Sequence, residues 1–208
     1  MKIDRAGYPF ILGALLPAVV LAAFRRPRLA LPFAALGAAF LFFFRDPERQ
    51  APAETGLVVS PADGRVLVAG DPQERAAPAG EWRQISIFLS PLDVHVNRIP
   101  VSGRVARVEY RPGRYAPAYD NSAATENECN TIWIEREGGP VVCRQITGVL
   151  VRRVVCRVKA GDQVTAGERF GVMKFGSRID LFLPPDAQLL VRVGDKVRAG
   201  ETVLARLA

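Results

Sequence analysis

The chain has 208 residues, about half of them apolar, and a net charge of +7; that is enough for one ordinary domain with an appendage, and it excludes a disordered chain. Residues 1–50 carry seven Lys or Arg against three acids, so the excess lies beside the most hydrophobic part of the chain, which favours an anionic membrane surface over nucleic acid. No base-reading motif with interleaved aromatic residues is present. Cys129, Cys143 and Cys156 are odd in number and lack ligand spacing, so they read as reduced thiols of a cytosolic protein, and a lone histidine disfavours zinc; no metal is expected.

Residues 6–24 and 29–44 are two uncharged runs separated by Arg25-Arg26-Pro27-Arg28. Each is near the lower length for crossing a bilayer, and neither has a polar face, so a hydrophobic helical hairpin in the membrane is expected over residues 1–50, the linker included. No cleavage site follows the first run, which argues against a signal peptide. From residue 51 onward the pattern changes to short β-branched runs cut by Gly, Pro and Asp. Strands are expected at residues 57–60, 65–69, 84–89, 104–110, 131–135, 141–146 and 154–158, giving a mainly β domain of barrel or sandwich type.

Two loops in this domain carry reactive groups. Ser60-Pro61-Ala62-Asp63-Gly64-Arg65 is a turn sequence, and Asp-Gly turns are common enough that Asp63, taken alone, reads as a turn residue before it reads as a functional carboxylate. Residues 89–103 contain His95, the single imidazole of the chain, so any step that needs one must use it. A polar stretch from residue 115 to 130, with Asn121, Glu126, Asn127 and Glu128, is either a head-group site or a solvated loop.

The C-terminal part is organised around Val172-Met173-Lys174-Phe175-Gly176-Ser177-Arg178. On either side lies one copy of a Val-x-x-Gly-Asp-x-Val-x-Ala-Gly-Glu phrase, the two repeating at a spacing of 33. The Gly-Asp pairs read as turns between short strands, a repeat of the biotinyl or lipoyl (barrel-sandwich) kind. Three readings of the intervening stretch stand side by side. Gly176-Ser177 is a hairpin turn; or it is a strained peptide bond attacked by its own serine hydroxyl; or Lys174 is the modified lysine of a carrier domain.

Taken together, Arg45-Asp46-Pro47-Glu48-Arg49 after an apolar hairpin, Ser-Pro-Ala-Asp-Gly, the Leu-Ser-Pro-x-Asp-x-His stretch and the late Phe-Gly-Ser resemble phosphatidylserine decarboxylase proenzymes. The likeness is to the short branch sometimes called archaeal-type, and it covers nearly the whole chain. It implies self-cleavage at Gly176-Ser177 into a β chain of residues 1–176 and an α chain of residues 177–208, held together as a heterodimer. It implies a covalent pyruvoyl group derived from Ser177 as the cofactor, on which the amine of phosphatidylserine condenses.

By the same resemblance Asp63, His95 and Ser177 form the catalytic group, with the carboxylate orienting the imidazole and the imidazole taking the hydroxyl proton. Asn127, Glu128 and Arg98 are the implied substrate-binding residues. Arg98 stands where the larger branch of the family has a second histidine, and arginine is no general base at neutral pH. The membrane-resident substrate accounts for the hairpin, and the implied location is the cell membrane with the catalytic domain on its cytoplasmic side. A carrier module modified on Lys174 is the runner-up, and it leaves residues 1–150 without a purpose.

Overall fold

The two uncharged runs fold as helices because each is apolar all round and each helix starts with a proline in its first turn, Pro9 or Pro27, where the missing N–H costs nothing. In the computed structural model, which describes residues 2–149, 154–174 and 176–207, they are α1 (Tyr8–Ala23) and α2 (Pro27–Phe43). The strand β1 (Lys2–Ile3) pairs antiparallel with β2 (Arg45–Asp46) and closes this first compact unit, Met1–Glu48. Leu12, Leu16 and Val19 of α1 and Leu31 and Leu36 of α2 are exposed within it. The helical stretch Arg5–Ala23 is long and apolar enough to cross a membrane, while Pro27–Phe43 is shorter.

The second unit, Arg49–Ala208, is built from short strands. Its first half holds β3 (Leu57–Val59), β4 (Gly64–Gly70), β5 (Arg83–Leu89), β6 (Val96–Arg98), β7 (Gly103–Arg111), the single helical turn α3 (Ala123–Glu126), β8 (Cys129–Glu135) and β9 (Val141–Ile146). The second half holds β10 (Val155–Cys156), β11 (Gln163–Val164), β12 (Arg169–Val172), β13 (Ser177–Leu183), β14 (Gln188–Leu189), β15 (Lys196–Val197) and β16 (Val203–Arg206). An eight-stranded antiparallel sheet runs β11-β7-β8-β9-β13-β5-β4-β15, flanked by the three-stranded sheets β10-β12-β6 and β14-β16-β3. The chain is therefore mainly β, with a pair of packed helices before the β unit in sequence, as the sequence pattern indicated. Residues 89–103, read above as a loop, contain the strand β6.

The unit is internally doubled. Strand β11 pairs with β7 as β15 pairs with β4, and β12 pairs with β6 as β16 pairs with β3. Hydrogen bonds repeat with it. The Gly167 amide donates to the Ile99 carbonyl and the Gly200 amide to the Ser60 carbonyl, while Val105 and Val66 donate to the carbonyls of Asp162 and Asp195. The two Gly-Asp pairs are turns, as expected. Gly161 and Gly194 both have φ near +95° (94° and 97°), and each following aspartate accepts a backbone amide three residues back.

Alternate residues of the central strands build the main core, with Ile85, Ile87 and Leu89 of β5 against Ile179, Leu181 and Leu183 of β13. The opposite face of β13 carries Arg178, Asp180 and Phe182, and a smaller cluster with Ala76, Ala123 and Ala124 covers part of it. All seven residues of β13 are buried.

Candidate active site

Ser177 opens β13, between β9 and β5, so the hairpin-turn reading of the Gly-Ser pair does not describe it. Its side chain shares the Leu89 side of the sheet, because the two residues are register partners. The Oγ is fully buried and has no hydrogen-bond partner among the described residues. A buried hydroxyl left unpaired costs roughly 1–3 kcal/mol, so the fold holds an unsatisfied oxygen at this point. The preceding Gly176 has φ +75°, in the left-handed region. Phe175 lies outside the described residues.

His95 reaches this corner through the pairing of β6 with β12. Val96 opposes Val172, and the Met173 amide donates to the His95 carbonyl at 3.2 Å. The ring is buried, its Nδ1 lies 2.9 Å from the Asp93 carbonyl, and its Nε2 accepts the Gly176 amide at 3.4 Å. A carbonyl only accepts, so Nδ1 carries the proton and Nε2 presents its lone pair to the Gly176 N–H, on the peptide bond that precedes Gly176. The Asp93 carboxylate fixes the loop by accepting the Ser90 amide at 2.8 Å.

Asp63 is held differently from the arrangement the resemblance implies. Its Oδ1 accepts the Ala199 amide at 2.8 Å and its Oδ2 accepts Arg49 at 3.0 Å; among the described residues it has no hydrogen bond to His95. Arg49 also binds Glu201 at 2.7 Å. Burial pushes the Asp63 carboxyl above the ordinary range, and the charge of Asp93 adds to this, while the Ala199 amide and Arg49 pull it back. A cavity of about 720 Å³ opens beside it, lined by Asp63, Arg65, Phe88, Asp93, Lys196 and Arg198.

The three implied substrate-binding residues are engaged with the protein. Asn127 is fully buried; both its amide hydrogens are spent, on the carbonyls of Ala116 and Thr147 at 2.8 Å, and its oxygen accepts the Ala116 amide at 2.9 Å. Glu128 accepts the Tyr115 hydroxyl at 2.7 Å. Arg98 donates to the Gly167 carbonyl at 2.8 Å and lies along Gly200, so it braces the two repeated turns. Asn121 accepts Gln73 at 2.6 Å, and Glu126 pairs with Arg114 at 3.3 Å.

Several residues escaped the sequence reading. Arg178, fully buried next to Ser177, donates to Asp180 at 2.6 Å and to Ser86 at 2.9 Å, and its Nη1 has no hydrogen-bond partner among the described residues. Its signal was two charges alternating with apolar residues along one strand. Arg49, on Asp63, had no signal beyond its place in the Arg-Asp-Pro-Glu-Arg phrase. The cysteines are free; burial raises the thiol pKa of Cys143 and, less completely, that of Cys156. Among the described residues no cluster of His, Cys, Asp or Glu is arranged for a metal.

A buried serine hydroxyl directly follows a left-handed glycine whose amide donates to the one imidazole of the chain, a set of groups suited to an enzyme's active site. The chain belongs to the phosphatidylserine decarboxylase family, which matches residues 36–205. It is 45% identical over 206 residues to the phosphatidylserine decarboxylase proenzyme of Symbiobacterium thermophilum, covering 99% of this chain and 95% of that one. To the proenzyme of Geobacter metallireducens it is 44% identical over 207 residues, covering 97% and 94%. To that of Desulfotalea psychrophila it is 40% identical over 208 residues, covering 100% and 97%. These relatives are bacterial, so they do not support the archaeal-type label given to the short branch. The family also decides against the carrier reading of Lys174.

Proposed function

We propose that this chain is a phosphatidylserine decarboxylase proenzyme that cuts itself between Gly176 and Ser177, and then converts phosphatidylserine to phosphatidylethanolamine and carbon dioxide. The observation that carries the reading is the buried, unpartnered Ser177 Oγ beside a left-handed Gly176 whose amide points at His95 Nε2. The hydroxyl and the carbonyl it attacks share one peptide unit, so proximity supplies much of the rate.

In the cut, Ser177 Oγ adds to the Gly176 carbonyl carbon, its proton passing to His95 Nε2, and the Ser177 nitrogen is expelled to leave an ester. Loss of the Ser177 Cα proton and of the Gly176 carboxylate leaves a dehydroalanine, and water then replaces its nitrogen as ammonia, giving the pyruvoyl group. Ser177 fits that group because no side chain among the described residues claims its oxygen. The pyruvoyl group supplies a ketone that takes the substrate amine and accepts the electron pair of the breaking carboxylate bond. His95, oriented by the Asp93 carbonyl, holds the proton that the head-group carbon needs after carbon dioxide leaves. Asp63, whose carboxylate is held by the Ala199 amide and by Arg49, is the group assigned to stabilise that imidazole when it is protonated.

The short chain has reason to stay after the cut. Its β13 pairs with both β5 and β9, and β15 and β16 pair with β4 and β3. The doubled arms around it support a barrel-sandwich of the biotinyl and lipoyl kind. The exposed apolar faces of α1 and α2 support a membrane anchor, with the basic residues beside it drawn to anionic lipid and the catalytic unit on the cytoplasmic side. The test is the mass of the purified protein under denaturing conditions: two chains are expected, the smaller covering residues 177–208 with a blocked, ketone-bearing N-terminus. Ser177→Ala is expected to remain whole and inactive. A small chain beginning with a free serine amine would overturn the proposal.

A further inference from the structure

The pairing of β9 with β13 ends at Ile146 opposite Arg178. Carried two residues further along both chains, the antiparallel register sets Gly148 opposite Gly176. The contact there is close. A Cβ built on Gly148 would lie well inside van der Waals contact with the Gly176 carbonyl oxygen, 3.2 Å from the carbonyl carbon and 3.3 Å from the Ala118 Cβ. Gly148 lies outside the left-handed region of backbone angles, so its own conformation does not call for glycine. The requirement comes from the neighbour. Gly176 is the reverse case, left-handed with open space where a side chain would go.

The chain also fixes where Gly148 stands. Thr147 is tied by its amide and its hydroxyl to the Glu128 carbonyl, both at 3.0 Å, and its own carbonyl accepts Asn127 at 2.8 Å. Asn127 holds Ala116 from both sides, and this segment leads to Ala118, the other neighbour that a Cβ at 148 would meet. Thr147 and Asn127 are both fully buried, so neither is free to shift into water.

We infer that Gly148 is a positioning residue for self-cleavage: its bare α-carbon is the abutment against which the scissile Gly176 carbonyl is seated for attack, and Asn127 and Glu128 set the position of that abutment. The inference rests on the self-cleavage reading above. It gives Asn127 and Glu128 a task in processing the chain in place of binding the lipid. A methyl at 148 displaces the carbonyl oxygen by about 1 Å, a misplacement that costs on the order of 100-fold in rate.

The experiment follows the conversion of freshly refolded full-length protein into two chains by denaturing gel and intact mass, for the parental chain, Gly148→Ala, Ala118→Gly and the double variant. Gly148→Ala is expected to fold with parental β-sheet circular dichroism and to cut about 100-fold more slowly. Its uncut chain is expected to resist hydroxylamine, because the ester that hydroxylamine would cleave has not formed. Adding Ala118→Gly removes the methyl that a side chain at 148 would also meet, gives residue 148 room to shift, and is expected to restore at least part of the rate. Parental-rate cutting by Gly148→Ala, hydroxylamine cleavage of its uncut chain, or a double variant no faster than Gly148→Ala would each overturn the inference. If Gly148→Ala does not fold, Asn127→Ala answers instead, since it frees the strand end without adding an atom at 148; it is expected to cut about 10-fold more slowly, and the parental rate would overturn the inference. A parental chain that stays whole would remove the self-cleavage reading itself, and this inference with it.

Discussion

Replacing Gly176 with alanine tests conformation alone. Gly176 has φ +75°, and a Cβ built there meets nothing within 4 Å, so the added methyl has no clash to relieve. What it costs is the left-handed backbone, roughly 1–2 kcal/mol for a residue with a side chain. If the left-handed geometry is the one from which Ser177 attacks, its population falls by a factor of about 5 to 30, and the cleavage rate falls with it. Global stability moves less, because alanine also restricts the unfolded chain by about 0.4–1 kcal/mol, which offsets part of the strain. The assay is the first-order conversion of refolded Gly176→Ala proenzyme to two chains, beside its urea midpoint. Asparagine, which tolerates this region better than alanine does, is expected to lie between alanine and the parent. A parental rate for Gly176→Ala would refute the idea that this geometry lies on the path to cleavage. A folded variant that never cuts would show that the glycine does more than bend the chain.

Arg49→Gln removes one of the influences that lower the Asp63 pKa, so Asp63 holds its proton to higher pH. The folded pKa already lies above the ordinary value of 3.8, which means that the group's contribution to stability is complete below 3.8 and declines as pH rises through the folded pKa. In the variant that decline extends further up the pH scale, and the acid limb of the cleavage rate moves upward with it; an acid limb that stays in place would separate Asp63 from the rate. Deleting residues 2–44 is expected to move the remaining unit from the membrane to the soluble fraction, and persistence on membranes after a high-salt wash would point to a second anchor.

The strands with long β-branched runs were legible because they are half-buried and bounded by Gly, Pro or Asp, and β5, β7 and β9 fall within a residue of their expected limits. The strand β6 was not, since Val96-Asn97-Arg98 is three residues long and two of them are polar. The start of β13 was hidden for a different reason. A Gly-Ser pair signals a turn, but here the turn geometry ends at Gly176 and the strand begins at once. Ser177, His95 and Asp63 were legible as residue types with chemistry to do. Their mutual geometry was not, because it depends on three separate pairings: β6 on β12, β13 on β5, and the Asp63 turn on the Ala199 turn. The contact of Gly148 with Gly176 leaves no trace in either glycine. It emerges only when the register of β9 on β13 is known.

The doubling of the fold allows one position to be judged against its own counterpart. Pro61-Ala62-Asp63-Gly64-Arg65 and Pro100-Val101-Ser102-Gly103-Arg104 occupy equivalent turns. In the first, the Ala199 amide is met by the Asp63 carboxylate at 2.8 Å; in the second, the Ala166 amide is met by the Ser102 hydroxyl at 3.0 Å. The architecture thus asks for an oxygen at this corner, and a neutral one suffices. Asp63 brings a carboxylate that is largely shielded from water and whose charge is disfavoured by burial and by its neighbour Asp93, and favoured by the Ala199 amide and by Arg49 beside it. Ser102, facing solvent, needs no such counter-ion. The neutral corner is the molecule's own control experiment, and what differs at the charged corner is the part of its cost that folding does not explain.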